Sequence, residues 1–342
     1  MKENKNESSE SRNKSKMKAK EILTGIIVGL CCAFILIYIK NIIKDRFSSI
    51  NTFKQHIIYN YYRPETLDMI FKNNLGDDYT GDISTDFDIF LMKSLYNEIN
   101  KYELEHNQIY NSYLSKERLM SYSTNGDENA KELYGKSINN NTYYLKIPQF
   151  RDGITYKYFK QYKDDMLNYN NLIIDLRNNT GGEFDDFERI SSIFLKEGSE
   201  IYRLYKPKET IVKKSTNKNP AEFKNIVILT NNYTASVSEL FILSLKKNLD
   251  NVTLIGTNTH GKDISCNIKK LSNNSGFIYI TSYMKGPNSS EISSQGIAPD
   301  IYVGNTEDFY NSLNNPDKEK ELREKDLVDQ YESAVNFLLN SK

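Results

Sequence analysis

The chain has 342 residues, enough for one large domain or two modest ones, and its 45 basic and 45 acidic side chains cancel to a formal net charge of +0. No global field draws it toward nucleic acid or another polyanion, so those partners are excluded as an expectation. Of its three cysteines, Cys31 and Cys32 lie in an apolar run and only Cys266 is left for the body, which excludes a disulfide framework. His56, His106 and His260 are scattered without the spacing of a metal site, so neither metal nor cofactor is expected.

Residues 1–21 are basic and polar. Residues 22–39 (ILTGIIVGLCCAFILIYI) carry no charge, and at about 1.5 Å per residue this run nearly crosses a hydrocarbon core of about 30 Å. Seven basic residues precede it, from Lys2 to Lys20, against Lys40, Lys44 and Arg46 just after it. That bias predicts a cytoplasmic amino terminus and an extracytoplasmic body. No small-residue cleavage site follows the run, where the chain reads Lys40-Asn41-Ile42-Ile43-Lys44, so residues 22–43 are expected to act as an uncleaved signal anchor.

Residues 48–140 read as a helical subdomain, with Phe87, Phe90, Leu91, Leu95, Ile99 and Tyr102 near helical spacing between turn-rich pieces. From 141 to 305 short apolar runs alternate with helical stretches. Strands are expected at 143–147, 172–176, 226–229, 252–255 and 277–283, and helices at 156–167, 185–195 and 236–249. Such alternation predicts an α/β (mixed-sheet) core. Residues 306–342 are charged, then weakly amphipathic, and read as a surface helix.

Three segments of this core carry chemistry. In LIIDLRNNTGG a buried-type strand runs into a polar turn and the pair Gly181 and Gly182, whose bare backbone can turn N–H groups into a cavity. In NNYTASVSEL a serine, Ser236, stands where a strand gives way to a helix; capping of that helix by Ser236 or Ser238, with Glu239 in the first turn, is the plain alternative. In GTNTHGK a strand ends at a glycine turn and Lys262. A serine hydroxyl needs a base to become a nucleophile, and a lysine serves as one when desolvation makes it neutral.

These segments, followed by QGIAPD (residues 295–300), occur in the order found in tail-specific (carboxyl-terminal processing) serine proteases, which residues 141–300 resemble. The resemblance implies Ser236 as nucleophile, Lys262 as general base, and the N–H groups of Gly182 and Val237 as the oxyanion hole. It leaves Ser238 and Glu239 to capping and packing. Where the family often has a glutamine four residues beyond the lysine, orienting its amine, this chain has Cys266, a poor hydrogen-bond partner. The family's common architecture also places a PDZ module before the core, whereas this chain reads as helical there.

The implied function is a membrane-anchored serine endopeptidase with a Ser–Lys dyad acting on extracytoplasmic polypeptides. The alternative is a catalytically silent peptide-binding or scaffolding protein of the same fold. His260 is a weaker candidate base. Asp175 and Arg177 read as ties within their loop, and the run Glu183, Asp185, Asp186, Glu188 as acids favoured at a helix N-terminus.

Overall fold

A computed structural model of the chain describes residues 64–102, 112–271, 274–313 and 315–341, together with 34, 35, 37, 38, 53–55 and 58. Most of the expected anchor lies outside these residues; Phe34, Ile35, Ile37 and Tyr38 within it are helical and exposed. Among the described residues no helix is long and apolar enough to cross a membrane. The chain divides into two compact units, residues 1–92 and 93–342.

In the first unit α1 (Pro64–Leu75) leads through a single turn into α2 (Ile83–Tyr102), of which residues up to 92 belong here. Asp82 starts α2 by accepting from the N–H and hydroxyl of Thr85. The fully buried Asp86 accepts from the Thr80 N–H and hydroxyl and from the Gly81 N–H, which pins the approach to the helix. Phe71 meets Phe87 and Phe90 across the pair, giving the unit an aromatic centre.

The second unit is built on a six-stranded sheet in the order β11-β8-β7-β4-β3-β2. Its strands are β2 (Tyr134–Asn139), β3 (Thr142–Lys146), β4 (Asn171–Asp175), β7 (Asn225–Thr230), β8 (Val252–Gly256) and β11 (Ile301–Tyr302). All neighbours are parallel except the β2–β3 hairpin. Successive side chains on a strand point to opposite faces, so one apolar run serves two cores. Leu172, Ile174, Ile226 and Ile228 face one cluster with Phe159, Phe187 and Phe241. Ile173, Val227, Leu229 and Ile255 face the other, with Ala334 and Leu338. Helices α4 (Thr155–Met166), α5 (Phe184–Phe194) and α6 (Val237–Lys246) supply the first cluster, and α8 (Pro316–Asn340) the second; the short α7 (Glu307–Asn311) precedes α8.

A second sheet is wholly antiparallel, in the order β1-β10-β5-β6 with β9 also on β10. It comprises β1 (Ser112–Leu114), β5 (Glu200–Tyr205), β6 (Thr210–Lys214), β9 (Ile264–Lys270) and β10 (Gly276–Lys285), with α3 (Lys116–Lys131) following β1. Every residue of α6 from Val237 to Leu245 is buried, as an apolar helix between layers must be.

The eight expected core elements are present with ends shifted by one or two residues, except that the helix expected to reach 249 ends at Lys246. The single mixed sheet is corrected to two sheets. The strands β1, β2, β5, β6, β9 and β11 were not anticipated, and β1 and β2 fall inside the stretch expected to be helical. The reason is compositional: β2 (YGKSIN) and β6 (TIVKK) bury nothing fully, and β1 and β11 are three and two residues long. None of these four has an apolar alternation to read.

Candidate active site

The carboxyl ends of β4, β7 and β8 point to one end of the parallel sheet, where ligands of such sheets bind. Their loops are tied to one another. The Asn178 N–H donates to Asn231 Oδ1 at 3.0 Å while Asn231 Nδ2 donates to Asn178 Oδ1 at 2.8 Å. The Thr234 hydroxyl donates to the Leu176 carbonyl at 2.9 Å, and the Ala235 N–H to the Asn179 carbonyl at 3.0 Å. The strand-end loop carrying the glycines therefore holds the loop carrying the serine.

Ser236 sits at the N-terminus of α6 with φ 60° and ψ −119°, a region L-residues rarely occupy. Such a conformation costs about 1–3 kcal/mol and persists only where its surroundings enforce it. Here its N–H donates to Glu239 Oε2 at 2.7 Å and its carbonyl accepts from the N–H groups of Glu239 and Leu240. Gly181 packs directly behind this turn, where a Cβ would fall 2.9 Å from that of Ser236. Gly182, at φ 136°, bridges to Phe150, and a Cβ there would come within 1.8 Å of the Phe150 carbonyl oxygen. Only glycine fits. The Gly181 N–H is taken by Asn179 Oδ1, whereas those of Gly182 and Val237 enter no hydrogen bond among the described residues.

The third loop, from Gly256 to Lys262, is held from below by the QGIAPD segment. The Thr259 N–H donates to the Ile297 carbonyl at 3.1 Å, the Ile297 N–H donates to Thr259 Oγ1 at 2.7 Å, and Asp300 accepts from the Leu254 N–H at 2.8 Å. The carboxylate of Glu239, fully buried, accepts from Thr259 Oγ1 at 2.6 Å, the Gly261 N–H at 2.7 Å and the Lys262 N–H at 2.9 Å. Burial pushes this carboxyl above its ordinary range, and its four donors pull the other way.

A cavity of about 960 Å³ brings the expected residues together: Gly182, Ser236, Val237, Lys262 and Cys266 all line it. His260 does not line it; its N–H donates to the Thr234 carbonyl at 2.9 Å. Asp175 and Arg177 form a buried, two-pronged ion pair, and Arg177 also reaches the Leu327 carbonyl and Gln330 on α8. Glu183 ties to Arg151 and to the Asp152 N–H. In the first turn of α6 the Ser238 hydroxyl is buried and has no hydrogen-bond partner among the described residues, so Ser238 packs rather than caps. Glu239 caps α6 but also reaches another loop. No sequence signal marks that reach, since the S-x-x-E spacing reads as a purely local capping box.

A strained serine at a strand-to-helix turn, opposite a glycine pair and in one cavity with a lysine, is the kind of arrangement serine hydrolases use. Residues 141–303, just under half of the chain, match the model of peptidase family S41. The chain is 31% identical over 157 residues to a probable CtpA-like serine protease of Staphylococcus aureus (strain N315), covering 45% of this chain and 30% of that protein. A protein of the same description from Staphylococcus epidermidis is 32% identical over 145 residues, covering 42% of this chain and 29% of the relative. The chain thus spans about a third of the length of these relatives. A putative peptidase from Parabacteroides merdae shares the fold at a TM-score of 0.52 and 18% identity, covering 84% of this chain and 95% of that one.

Proposed function

We propose that the chain is a serine endopeptidase with Ser236 as nucleophile and Lys262 as general base. The observation that carries this reading is the strained Ser236 turn sharing one cavity with Lys262 and with two N–H groups, of Gly182 and Val237, that no acceptor among the described residues takes up. Lys262 takes the proton as Ser236 Oγ bonds to the carbonyl carbon. The two N–H groups receive the developing oxyanion. Lys262 then returns the proton to the departing amine, and water cleaves the acyl-enzyme by the same route. No cofactor enters these steps.

The substrate is an extracytoplasmic polypeptide, with residues 22–43 as a single anchor and the amino terminus in the cytoplasm. Protease added to intact cells is expected to digest the chain beyond residue 48; complete protection overturns the topology. For the chemistry, a fluorophosphonate probe is expected to label the purified protein and not its Ser236→Ala variant. Failure to label the wild type favours the silent peptide-binding alternative, for which Cys266 in the cavity is the argument.

A further inference from the structure

Glu239 does more than cap a helix. A carboxylate offers about four lone-pair sites, and here all four are filled by donors from two separate segments of chain. Oε1 accepts from Thr259 Oγ1 and the Gly261 N–H. Oε2 accepts from the backbone N–H of Ser236 and that of Lys262, at 2.7 and 2.9 Å. One oxygen atom thus joins the main chain of the nucleophile to the main chain of the base, residues that lie on different loops of the sheet. Every partner is a donor, so the ionised form fits the site without conflict.

We infer that Glu239 is the positioning residue of the dyad: it fixes the separation of Ser236 and Lys262 and holds Ser236 in its strained turn. This rests on the Ser–Lys reading above. Nothing in the inference places Glu239 in contact with substrate, and it moves no proton. Its effect passes through the backbone of two residues, so its loss should slow the chemical step rather than weaken substrate binding. Glutamine is the informative replacement. Its amide keeps the shape of the carboxylate but turns an NH₂ toward one of the two donor pairs, so that pair loses its acceptor.

The experiment uses the full chain, peptide hydrolysis and fluorophosphonate labelling of wild type, Ser236→Ala, Glu239→Gln and Thr259→Val. A misplacement of reacting groups by about 1 Å costs on the order of a hundredfold in rate, so Glu239→Gln is expected to lose roughly that in kcat with KM little changed. It should still label to full stoichiometry, only more slowly. Thr259→Val removes one donor to the carboxylate, together with the acceptor of the Ile297 N–H, and is expected to lose about tenfold. In a Lys262→Ala background, Glu239→Gln is expected to add little further loss, because the two act as one unit.

A folded Glu239→Gln that works at the wild-type rate overturns the inference. So does a variant whose labelled fraction falls while the remainder reacts at the wild-type rate, which marks a purely structural role. If Glu239→Gln does not fold, Thr259→Val at the wild-type rate overturns it instead. Labelling of Ser236→Ala as fast as wild type overturns the Ser–Lys reading itself, and the inference with it.

Discussion

Ser236, Gly182 and Lys262 impose different tests because each is constrained by a different physical fact. Gly182 has no room for a methyl group, since a Cβ would stand 1.8 Å from a backbone oxygen that itself accepts from the Glu183 N–H. Gly182→Ala is therefore expected to displace the turn and cost on the order of a hundredfold in kcat, the usual loss for one oxyanion donor. Wild-type kcat in that variant removes Gly182 from the hole. At Lys262, arginine keeps the charge but cannot give a neutral base, so Lys262→Arg is expected to abolish hydrolysis while thermal unfolding stays near wild type. If Lys262→Arg turns over normally while Ser236→Ala does not, the base lies elsewhere and His260 is next to test. Glu239 gives a pH test of stability. Burial raises its folded carboxyl above the ordinary value of 4.5, so between that value and the raised one the folded state holds more protons than the unfolded. This contribution is largest in acid and fades as pH rises through the raised value. The stability of wild type relative to Glu239→Gln, from urea midpoints, should accordingly grow on acidification from neutral toward pH 4.5; a pH-independent difference contradicts it.

The elements show how far apolar pattern carries and where it stops. In α6 every position from Val237 to Leu245 is buried, and Phe241 meets Phe150, Phe187 and Phe194 in one aromatic cluster. Phe241→Ala is expected to destabilise the second unit by about 3–5 kcal/mol, read as a fall in urea midpoint, because the ring's neighbours come from β3's loop and α5 and cannot collapse together. A loss below about 1 kcal/mol means the cluster is not the core it looks like. The buried strands β3, β4, β7 and β8 and the helices between them were legible because burial on both faces demands unbroken apolar runs. The antiparallel sheet was largely hidden. Lys213 and Lys214 stand on β6, which is exposed over most of its length, so no alternation announced it, and the alternation of Ile264, Cys266 and Ile268 on β9 runs out at Lys269 and Lys270. At the site, the four residues given catalytic roles could be named from motif order alone, and they do converge on one cavity. The bridge made by Glu239 could not, because Thr259, Gly261 and Lys262 lie on a distant loop that only the tertiary fold brings to α6.

At the scale of the molecule, the second unit is a sheet covered on both faces, and its C-terminal helix is structural rather than a surface appendage. Ala334 and Leu338 of α8 bury Ile173, Val227, Leu229 and Ile255, a face that would otherwise meet water. Arg177 is the polar tie between this helix and the active-site end of the sheet. Its guanidinium grips Asp175 at 2.9 and 2.6 Å, and it reaches the Leu327 carbonyl at 2.5 Å. Asp175 also accepts from the Tyr144 hydroxyl at 2.6 Å. Both ions are nearly buried, so the pair's net worth over apolar residues is small, yet breaking it leaves a charge with nowhere to go. Arg177→Ala is expected to destabilise the second unit by about 3–5 kcal/mol in urea unfolding. Adding Asp175→Asn should restore part of that loss, since the orphaned charge is then removed while the Tyr144 hydroxyl keeps an acceptor. If the tie also steadies the loop that runs on to Gly181 and Gly182, Arg177→Ala should lower kcat at temperatures where the protein remains folded, and the double variant should recover stability without recovering kcat. A single substitution within about 0.5 kcal/mol of wild type shows that α8 is held by its apolar face alone.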